Sequence, residues 1–152
     1  METITKTMKS LNVIYLALIL GQLIFMGIVI FLSSGTIPDS ENMSLLRTFI
    51  PVVSVSTAAI SYVIYNKRRE EGAEIEDLTE KTLHYRVSNI IRWAVVEAGN
   101  LFVIVSVLLT GSTFFVLFFI LGMAVFIVYR PTVKGFVNDY NLSTSEENVL
   151  SN

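Results

Sequence analysis

Four long apolar blocks constrain the fold of this chain more than any other feature of its sequence. They cover approximately residues 12–32, 47–65, 89–109 and 113–129, and polar segments separate them. Each block is close to the ~20 residues that an α-helix needs to cross the ~30 Å hydrocarbon core of a bilayer. The first and fourth blocks carry no charged residue. We therefore predict an all-α integral membrane protein: a single transmembrane domain over residues 1–152, built as a four-helix bundle.

Composition argues against the main alternatives to this fold. Only 16% of the 152 residues are Asp, Glu, Lys or Arg, which is too little polar surface to cover four apolar helices in water. A transmembrane β-barrel would alternate apolar and polar residues with period two, and the blocks do not alternate. The first block is longer than the ~7–15 apolar residues of a signal peptide and lacks a clear cleavage site, so we expect a retained span.

Basic residues lie almost wholly on one side of the predicted membrane. They precede the first block, fill the connection between the second and third, and follow the fourth. The residues that indicate the orientation most directly are Lys67, Arg68, Arg69 and Arg130. Short loops rich in Lys and Arg stay in the cytoplasm. We therefore predict a multi-pass protein of the bacterial inner (cytoplasmic) membrane with both termini inside.

The connections between the blocks differ in composition. Residues 66–88 mix charges and predict an amphipathic cytoplasmic linker, which lies on the membrane surface or leads straight into the third span. Asp77 or Thr79 would be the N-cap of its helix. Residues 110–112, with the sequence TGS, predict a tight external turn and an antiparallel hairpin. Residues 33–44 predict an irregular external loop.

The tail, residues 130–152, is predicted to be cytoplasmic and anchored at the membrane interface. One face of a short amphipathic stretch within it carries Val133, Phe136, Val137 and Tyr140. Thr144 followed by Glu147 predicts a capping box for a last helical turn.

The two halves of the chain show internal similarity. A shift of 77 or 78 residues aligns the first block with the third and, at 78, pairs Gln22 with Asn100. A shift of 65 aligns the second block with the fourth and pairs residues 48–49 with 113–114, which read Thr-Phe in both places. This pattern favours a duplicated two-helix hairpin, with the copies related by an axis along the membrane normal.

Glu97 is the most informative residue for function, because it is an acid in the middle of the third apolar block. On a helical wheel, an arc of about 140° also holds the other polar positions of this helix: Asn89, Arg92, Trp93 and Asn100. We expect this stripe to face protein, since an ionised acid at the bilayer centre costs about 2.5–3.5 kcal/mol. Arg92 and Trp93 lie nearer the inner interface, where a snorkelling arginine and an aromatic belt are expected.

Two interpretations of Glu97 remain open. In the first, Glu97 binds a proton or cation with the help of Asn100 and Gln22, as part of a transport or channel element. In the second, Glu97 hydrogen-bonds Asn100, Gln22 or a hydroxyl of the second span. It would then only fix the packing of the helices in a non-catalytic scaffold or accessory subunit.

Other chemistry is not indicated by the sequence. His84 is the only histidine and there is no cysteine, so we predict no metal site, no cofactor and no enzymatic activity. Nucleotide-binding and hydrolase motifs are absent from the sequence. The basic cluster at 67–69 is short and mixed with acids, which argues against nucleic acid and for contact with anionic lipid. The expected partners are the lipid bilayer and, in a homo-oligomer or larger membrane complex, other protein chains.

The stretch WAVVEAGNLFVIVSVLLT, residues 93–110, resembles the second helix of the proteolipid (c) subunits of rotary ATPases. In that helix an ion-binding carboxylate is followed by alanine and, a few residues on, by an aromatic residue. The resemblance implies that Glu97 carries the ion. The duplicated hairpin is similar to the four-helix proteolipids of vacuolar-type enzymes, although the first span lacks their glycine-rich stripe and Arg92 departs from their pattern. The whole chain resembles small four-helix membrane proteins of bacteria; this resemblance implies the fold and does not point to any particular activity.

Overall fold

The computed structural model describes residues 2–34, 40–144 and 146–147, with side chains for all of these except 2, 3, 5 and 40–43. The described residues form five α-helices and no strand, which confirms the predicted all-α class. The helices are α1 (Glu2–Ser33), α2 (Ser40–Ala73), α3 (Leu78–Thr110), α4 (Val116–Val128) and α5 (Val133–Asp139). Residues 35–39 of the predicted external loop, and residues 145 and 148–152 of the tail, lie outside the described part.

α3 is the central helix, and α1, α2 and α4 pack around it. α1 runs parallel to α3. The ring of Tyr15 lies 5.3 Å from the ring of Trp93, and two turns further on Gln22 accepts a hydrogen bond from Asn100 at 2.7 Å. Each contact joins residues whose numbers differ by 78 (93 − 15 and 100 − 22). The second of the two offsets at which the halves of the sequence align, 78, is therefore also the register of these two contacts between α1 and α3.

α2 runs antiparallel to α3 and approaches it closely at one small residue. Arg68, near the end of α2, donates from Nε to the hydroxyl of Ser88, near the start of α3, at 3.0 Å. In the middle of both helices, Thr57 lies against Gly99. A Cβ at position 99 would collide with the Thr57 hydroxyl, so glycine is what lets the two helices come this near.

A tight turn joins α3 to α4, as the TGS sequence predicts. Gly111 has a positive φ of 65°, and its N–H donates to the carbonyl of Val107 at 2.9 Å, which caps the end of α3. A 3-10 turn, Thr113–Phe115, then leads into α4. At the other end of the hairpin, Nε1 of Trp93 donates to the carbonyl of Tyr129 at 3.0 Å. α3 and α4 are therefore antiparallel over their shared length.

Two clusters of buried side chains fill the bundle. The cluster at the end that holds the linker and the tail is mainly aromatic, and its largest members are Tyr15, Tyr65, Tyr85, Trp93, Phe126, Phe136 and Tyr140. The cluster at the opposite end is mainly aliphatic, with Val29, Ile50, Val103, Ile104 and Val107 beside Phe115 and Phe119. Along α1 and α3, Gln22 and Asn100 lie between the two clusters.

The predicted linker is helical for most of its length. α2 continues to Ala73 and α3 begins at Leu78, so only residues 74–77 interrupt the helices. α3 leads straight from the linker into the third apolar block, which is one of the two predicted arrangements. Asp77 is the N-cap of α3, because its Oδ1 accepts a hydrogen bond from the N–H of Glu80 at 2.8 Å.

The tail folds back against the bundle. α5 is inclined by 74° to α4. Phe136 and Tyr140 are fully buried and pack on Tyr85 with ring centroids 4.7 and 5.5 Å away, whereas Val133 is exposed. The predicted apolar face is therefore split, since its aromatic members pack against other residues of the chain.

The capping box of the tail forms one residue earlier than predicted. The N–H of Ser143 donates to a carboxylate oxygen of Glu146 at 2.7 Å, and the N–H of Glu146 donates back to the Ser143 hydroxyl at 3.4 Å. The same carboxylate lies 3.4 Å from Nζ of Lys81 on α3. This contact with Lys81 favours the capping box of Ser143 and Glu146 over the predicted one of Thr144 and Glu147.

Three of the described helices, α1, α2 and α3, are long and apolar enough to cross a membrane. The bent pair of α4 and α5 gives a fourth only if the two count as one span. α4 has 13 residues, about 20 Å at 1.5 Å per residue, which is less than the ~30 Å hydrocarbon core. The predicted block 113–129 is shorter as an α-helix because its first three residues form the 3-10 turn.

The two predicted hairpins pack differently. α3 and α4 contact each other directly, whereas α1 and α2 each pack on α3 and scarcely touch one another among the described residues. The described helices therefore lack the twofold arrangement expected of a duplicated hairpin. Duplication stays a hypothesis based on sequence.

Candidate functional site

The residues of the predicted polar stripe on α3 face the interior of the bundle, with Glu97 as the exception. Asn89, Arg92, Trp93 and Asn100 are buried, and Trp93 is fully inaccessible. Glu97 is half-buried. The stripe identified on the helical wheel is therefore real for four of its five members, and the acid lies at its edge.

Asn100 and Gln22 form a buried polar pair at the centre of the bundle. The side-chain amide of Asn100 donates to Oε1 of Gln22 at 2.7 Å and lies 3.8 Å from the sulfur of Met123. Both amide residues are buried, and Nε2 of Gln22 has no hydrogen-bond partner among the described residues. Since Asn100 touches α1 and α4 at once, this pair fixes the relative positions of three helices.

The other oxygen of this pair, Oδ1 of Asn100, points at Gly122 of α4. A Cβ at position 122 would overlap Oδ1 of Asn100. Glycine at position 122 therefore lets α4 lie close to the Asn100 amide, where a side chain on α4 would not fit.

Glu97 lies apart from the Asn100–Gln22 pair. In the described part of the chain, no hydrogen bond or ion pair involves its carboxylate. Gly99 is two residues further along α3, about 200° around the helix, and Gly99 faces α2. Glu97 therefore points away from α2, and the hydroxyls of that helix are out of its reach. The structure brings two of the three predicted site residues together and leaves the acid outside.

The surface around Glu97 is apolar and contains small residues. Ala94 and Ala98 are exposed, and so is Leu101 one turn further on. A carboxylate bordered by these residues has neither water nor a protein donor close by if this surface faces lipid.

Arg92 is enclosed by two aromatic rings. Its guanidinium carbon lies 3.7 Å from the ring centroid of Tyr65 on α2 and 4.3 Å from that of Tyr129 at the end of α4. It also donates to Oδ1 of Asn89 at 2.7 Å and to the carbonyl of Tyr129 at 3.2 Å. The expected snorkelling arginine is therefore a buried cation held by protein, because aromatic faces from two helices meet over it. Sequence spacing gave no signal for Tyr65 or Tyr129, since they belong to other helices.

The four basic residues used to predict the orientation lie at one end of the bundle, where α2 and α4 end. Arg68 binds Ser88, and Arg69 lies 3.8 Å from the carboxylate of Asp139. Lys67 and Arg130 are exposed. All four are therefore on the surface or only partly covered, as expected of residues that contact water or anionic headgroups.

The tail is held to the same end by a set of polar contacts that the sequence did not indicate. Asp139 accepts a hydrogen bond from the Tyr65 hydroxyl at 2.6 Å. The Tyr140 hydroxyl lies 2.8 Å from Nδ1 of His84 and donates to Ser88 at 3.4 Å. We refer to these three contacts as the tail clamp.

Burial shifts the pKa values of two members of the tail clamp, His84 and Tyr140. His84 precedes the third apolar block; burial and nearby Arg68 lower its pKa, while Glu71 acts in the opposite direction. Burial raises the pKa of Tyr140. Further along the tail, hydrogen bonds from Ser143 hold the pKa of Glu146 below its ordinary value.

The described residues contain no group of three His, Cys, Asp or Glu side chains close enough together to hold a metal ion. Comparison with known proteins adds no assignment: no family model, no curated protein and no solved structure matches the chain. The candidate site is defined by its own geometry, which is a lone carboxylate on the outer flank of the central helix beside a buried amide pair.

Proposed function

We propose that the chain is a four-span protein of the bacterial inner membrane, in which Glu97 binds a proton or a cation as part of a transport or channel element. Support for the membrane location comes from the direction of the apolar side chains. In the most apolar windows of α1 and α2, only 22% and 17% of the residues are buried within the chain, against 50% in α3. Apolar surface of this extent is unfavourable in water and favourable in lipid.

The proposed orientation places both ends of the chain in the cytoplasm. The helix directions bring the start of α1, the end of α2, the start of α3 and the end of α4 to the same end of the bundle. Lys9, Lys67, Arg86 and Arg130 belong to these four segments, and Arg47 lies at the opposite end beside Phe114. This asymmetry supports the orientation through the positive-inside rule.

One observation carries the proposed role of Glu97: the carboxylate has no hydrogen-bond or ion-pair partner among the described residues, although it lies in an apolar part of α3. An ionised acid in such a place costs about 2.5–3.5 kcal/mol. Binding a proton or a cation removes this cost while the carboxylate is in apolar surroundings. When the carboxylate contacts water, its ionised form is no longer costly and the ion can be released. The resemblance of residues 93–110 to a proteolipid helix supports the same role.

The sequence left open that Glu97 only fixes the packing of the helices, but other residues make that contact within the chain. Asn100 and Gln22 join α1 to α3 without Glu97. A scaffold or accessory-subunit function then requires Glu97 to pair with another chain, and the exposed Ala94 and Ala98 beside it favour that second candidate because small residues let a partner helix approach.

The test is ion flux in proteoliposomes that contain the full chain or its Glu97→Gln variant. Glu76→Gln, in the exposed break before α3, is the matched control because it removes one carboxylate from the same chain. We expect pH-dependent flux in the parent and in Glu76→Gln, and none in Glu97→Gln. Equal flux in all three would exclude the transport role.

Labelling by dicyclohexylcarbodiimide gives an independent readout, since the reagent favours protonated carboxyls in apolar surroundings. Intact-mass spectrometry should show one adduct, absent in Glu97→Gln and reduced when a bound cation protects the carboxylate. If Glu97 instead pairs with a partner chain, labelling in native membranes should be low and should rise once the protein is purified alone.

A further inference from the structure

A lateral groove lies over the face of α3 that carries Val96 and Asn100. Its walls are α2 and α4, its floor is α3, and its volume is about 380 Å³. That volume falls within the range of about 300–1,000 Å³ that is usual for small-molecule sites. The walls are apolar or small, with Ala58 and Ala59 on α2 facing Phe118 and Leu121 on α4. The groove is half open on its outer side.

Two polar atoms in this groove lack hydrogen-bond partners. The hydroxyl of Ser54 is buried and unpartnered among the described residues. The neighbouring hydroxyls of α2 satisfy themselves on the helix backbone, as Thr57 does with the carbonyl of Val53 at 2.9 Å and Ser61 with that of Ala58 at 2.8 Å. Ser54 therefore presents a buried hydroxyl that no other described residue engages.

Asn100 supplies the second available atom. The residue is 3% exposed and forms part of the groove floor. Its amide nitrogen is engaged by Gln22, whereas no N–H or O–H of the described residues donates to its Oδ1. Gly122 keeps the opposite wall open at this point, since any larger residue would cover the oxygen.

These atoms define the chemistry of an occupant. A lipid acyl chain would fill the apolar walls and leave both polar atoms unmatched, which is costly in a hydrocarbon environment. Water would be matched by Ser54 and Asn100 but not by the walls. A hydroxyl can donate to the carboxamide oxygen and accept from the serine at the same time.

We propose that the groove binds a membrane-soluble alcohol or phenol, whose apolar body lies between Ala58 and Leu121 and whose hydroxyl bonds Oδ1 of Asn100 and the hydroxyl of Ser54. Glu97 is not among the residues that line the groove, and its carboxylate takes no part in this site. It rests on the proposed membrane location, because the ligand enters from the lipid.

The experiment is photolabelling of the full chain in lipid nanodiscs. The probe is a long-chain primary alcohol that carries a diazirine, and its matched partner is the methyl ether of the same carbon skeleton. Cross-linked residues are identified by peptide mass spectrometry. We expect the alcohol to label residues of α2 and α4 that line the groove about fivefold more than the ether, the ratio that one typical net hydrogen bond gives.

Three variants sharpen the result. Ser54→Ala should reduce the preference for the alcohol, and Ala58→Leu should reduce labelling by both probes because it fills the groove. Ala94→Leu, an equal change on the exposed flank near Glu97, should alter neither. Ser54→Ala removes a single oxygen, so it remains informative if the bulkier Ala58→Leu does not fold.

Equal labelling by alcohol and ether would overturn the proposal, and so would labelling spread evenly over the outer surface. Failure of the groove proposal can be told apart from failure of the proposed function. A chain that does not enter nanodiscs contradicts the membrane location, whereas loss of flux in Glu97→Gln with unchanged photolabelling leaves the groove site standing.

Discussion

Replacing Gly122 by alanine tests how the polar centre of the bundle is packed. A Cβ at this position would overlap Oδ1 of Asn100, so the amide must move. Asn100 is buried between α1 and α4 and is tied to Gln22 at 2.7 Å. Moving it therefore breaks the hydrogen bond that joins α1 to α3.

The size of the effect follows from three contributions. Loss of an interhelical hydrogen bond costs about 0.6–1.7 kcal/mol, and a buried amide left unmatched costs about 1–3 kcal/mol. Alanine recovers about 1 kcal/mol through its higher helix propensity. We expect the free energy of unfolding to fall by about 1–4 kcal/mol.

Gly21→Ala and Gly27→Ala are the matched controls, because nothing lies within 4 Å of a Cβ at either position. Each should raise the free energy of unfolding, or leave it unchanged. The same sign is expected for Gly122→Ala in a chain that already carries Asn100→Ala, since the clashing oxygen is then absent. Gly122→Ala should thus lower the free energy of unfolding when Asn100 is present, and should raise it or leave it unchanged when Asn100 is replaced by alanine.

Unfolding in mixed detergent micelles, followed by tryptophan fluorescence, measures these differences. The chain has a single tryptophan, and Trp93 is fully buried beside Tyr15 and Phe126, so its emission reports on the core. If Gly122→Ala and Gly21→Ala shift the transition equally, the close contact between α4 and Asn100 does not exist and the reasoning fails.

Two further predictions concern the end of the bundle that holds the linker and tail. Arg92→Lys should lower the free energy of unfolding by about 1–3 kcal/mol in the same assay, because an ammonium cannot stack between Tyr65 and Tyr129 as the planar guanidinium does; an unchanged transition would mean that the ring contacts contribute nothing. Protonation of His84 should weaken docking of the tail. Its pKa is lowered in the folded chain, so the stability it contributes is complete above the ordinary value of 6.5 and is lost as the pH falls through the folded value. Limited proteolysis of the tail should therefore speed up below about pH 6.5 in the parent and not in His84→Gln, and a pH dependence retained in His84→Gln would assign the effect to another group.

Much of the architecture follows from local features of the sequence. Apolar block length gives the three long helices, the TGS turn gives the hairpin of α3 and α4, and Asp77 gives the start of α3. The alignment of the halves leaves two offsets open, 77 and 78, and Gln22 meets Asn100 at the second of them. These features are predictable because each depends on neighbouring residues or on one parallel helix pair.

The rest depends on contacts between distant segments, which periodicity does not reveal. A helical wheel groups Glu97 with Asn100, but the direction of α2 decides which edge of the stripe is covered, and it leaves the acid outside. The burial of Arg92 requires Tyr65 and Tyr129 to converge from two other helices. The docking of the tail likewise depends on Phe136 and Tyr140 finding space against Tyr85.

The most direct test of the role of Glu97 is the state of its carboxyl group in a bilayer. Infrared difference spectroscopy of the full chain in lipid, with Glu97→Gln as the reference, isolates the carbonyl stretch of this one group. We predict a protonated, weakly hydrogen-bonded carboxyl at neutral pH that loses its signal when a bound cation or a raised pH removes the proton. A carboxylate that stays ionised throughout, with no cation present, would contradict the account.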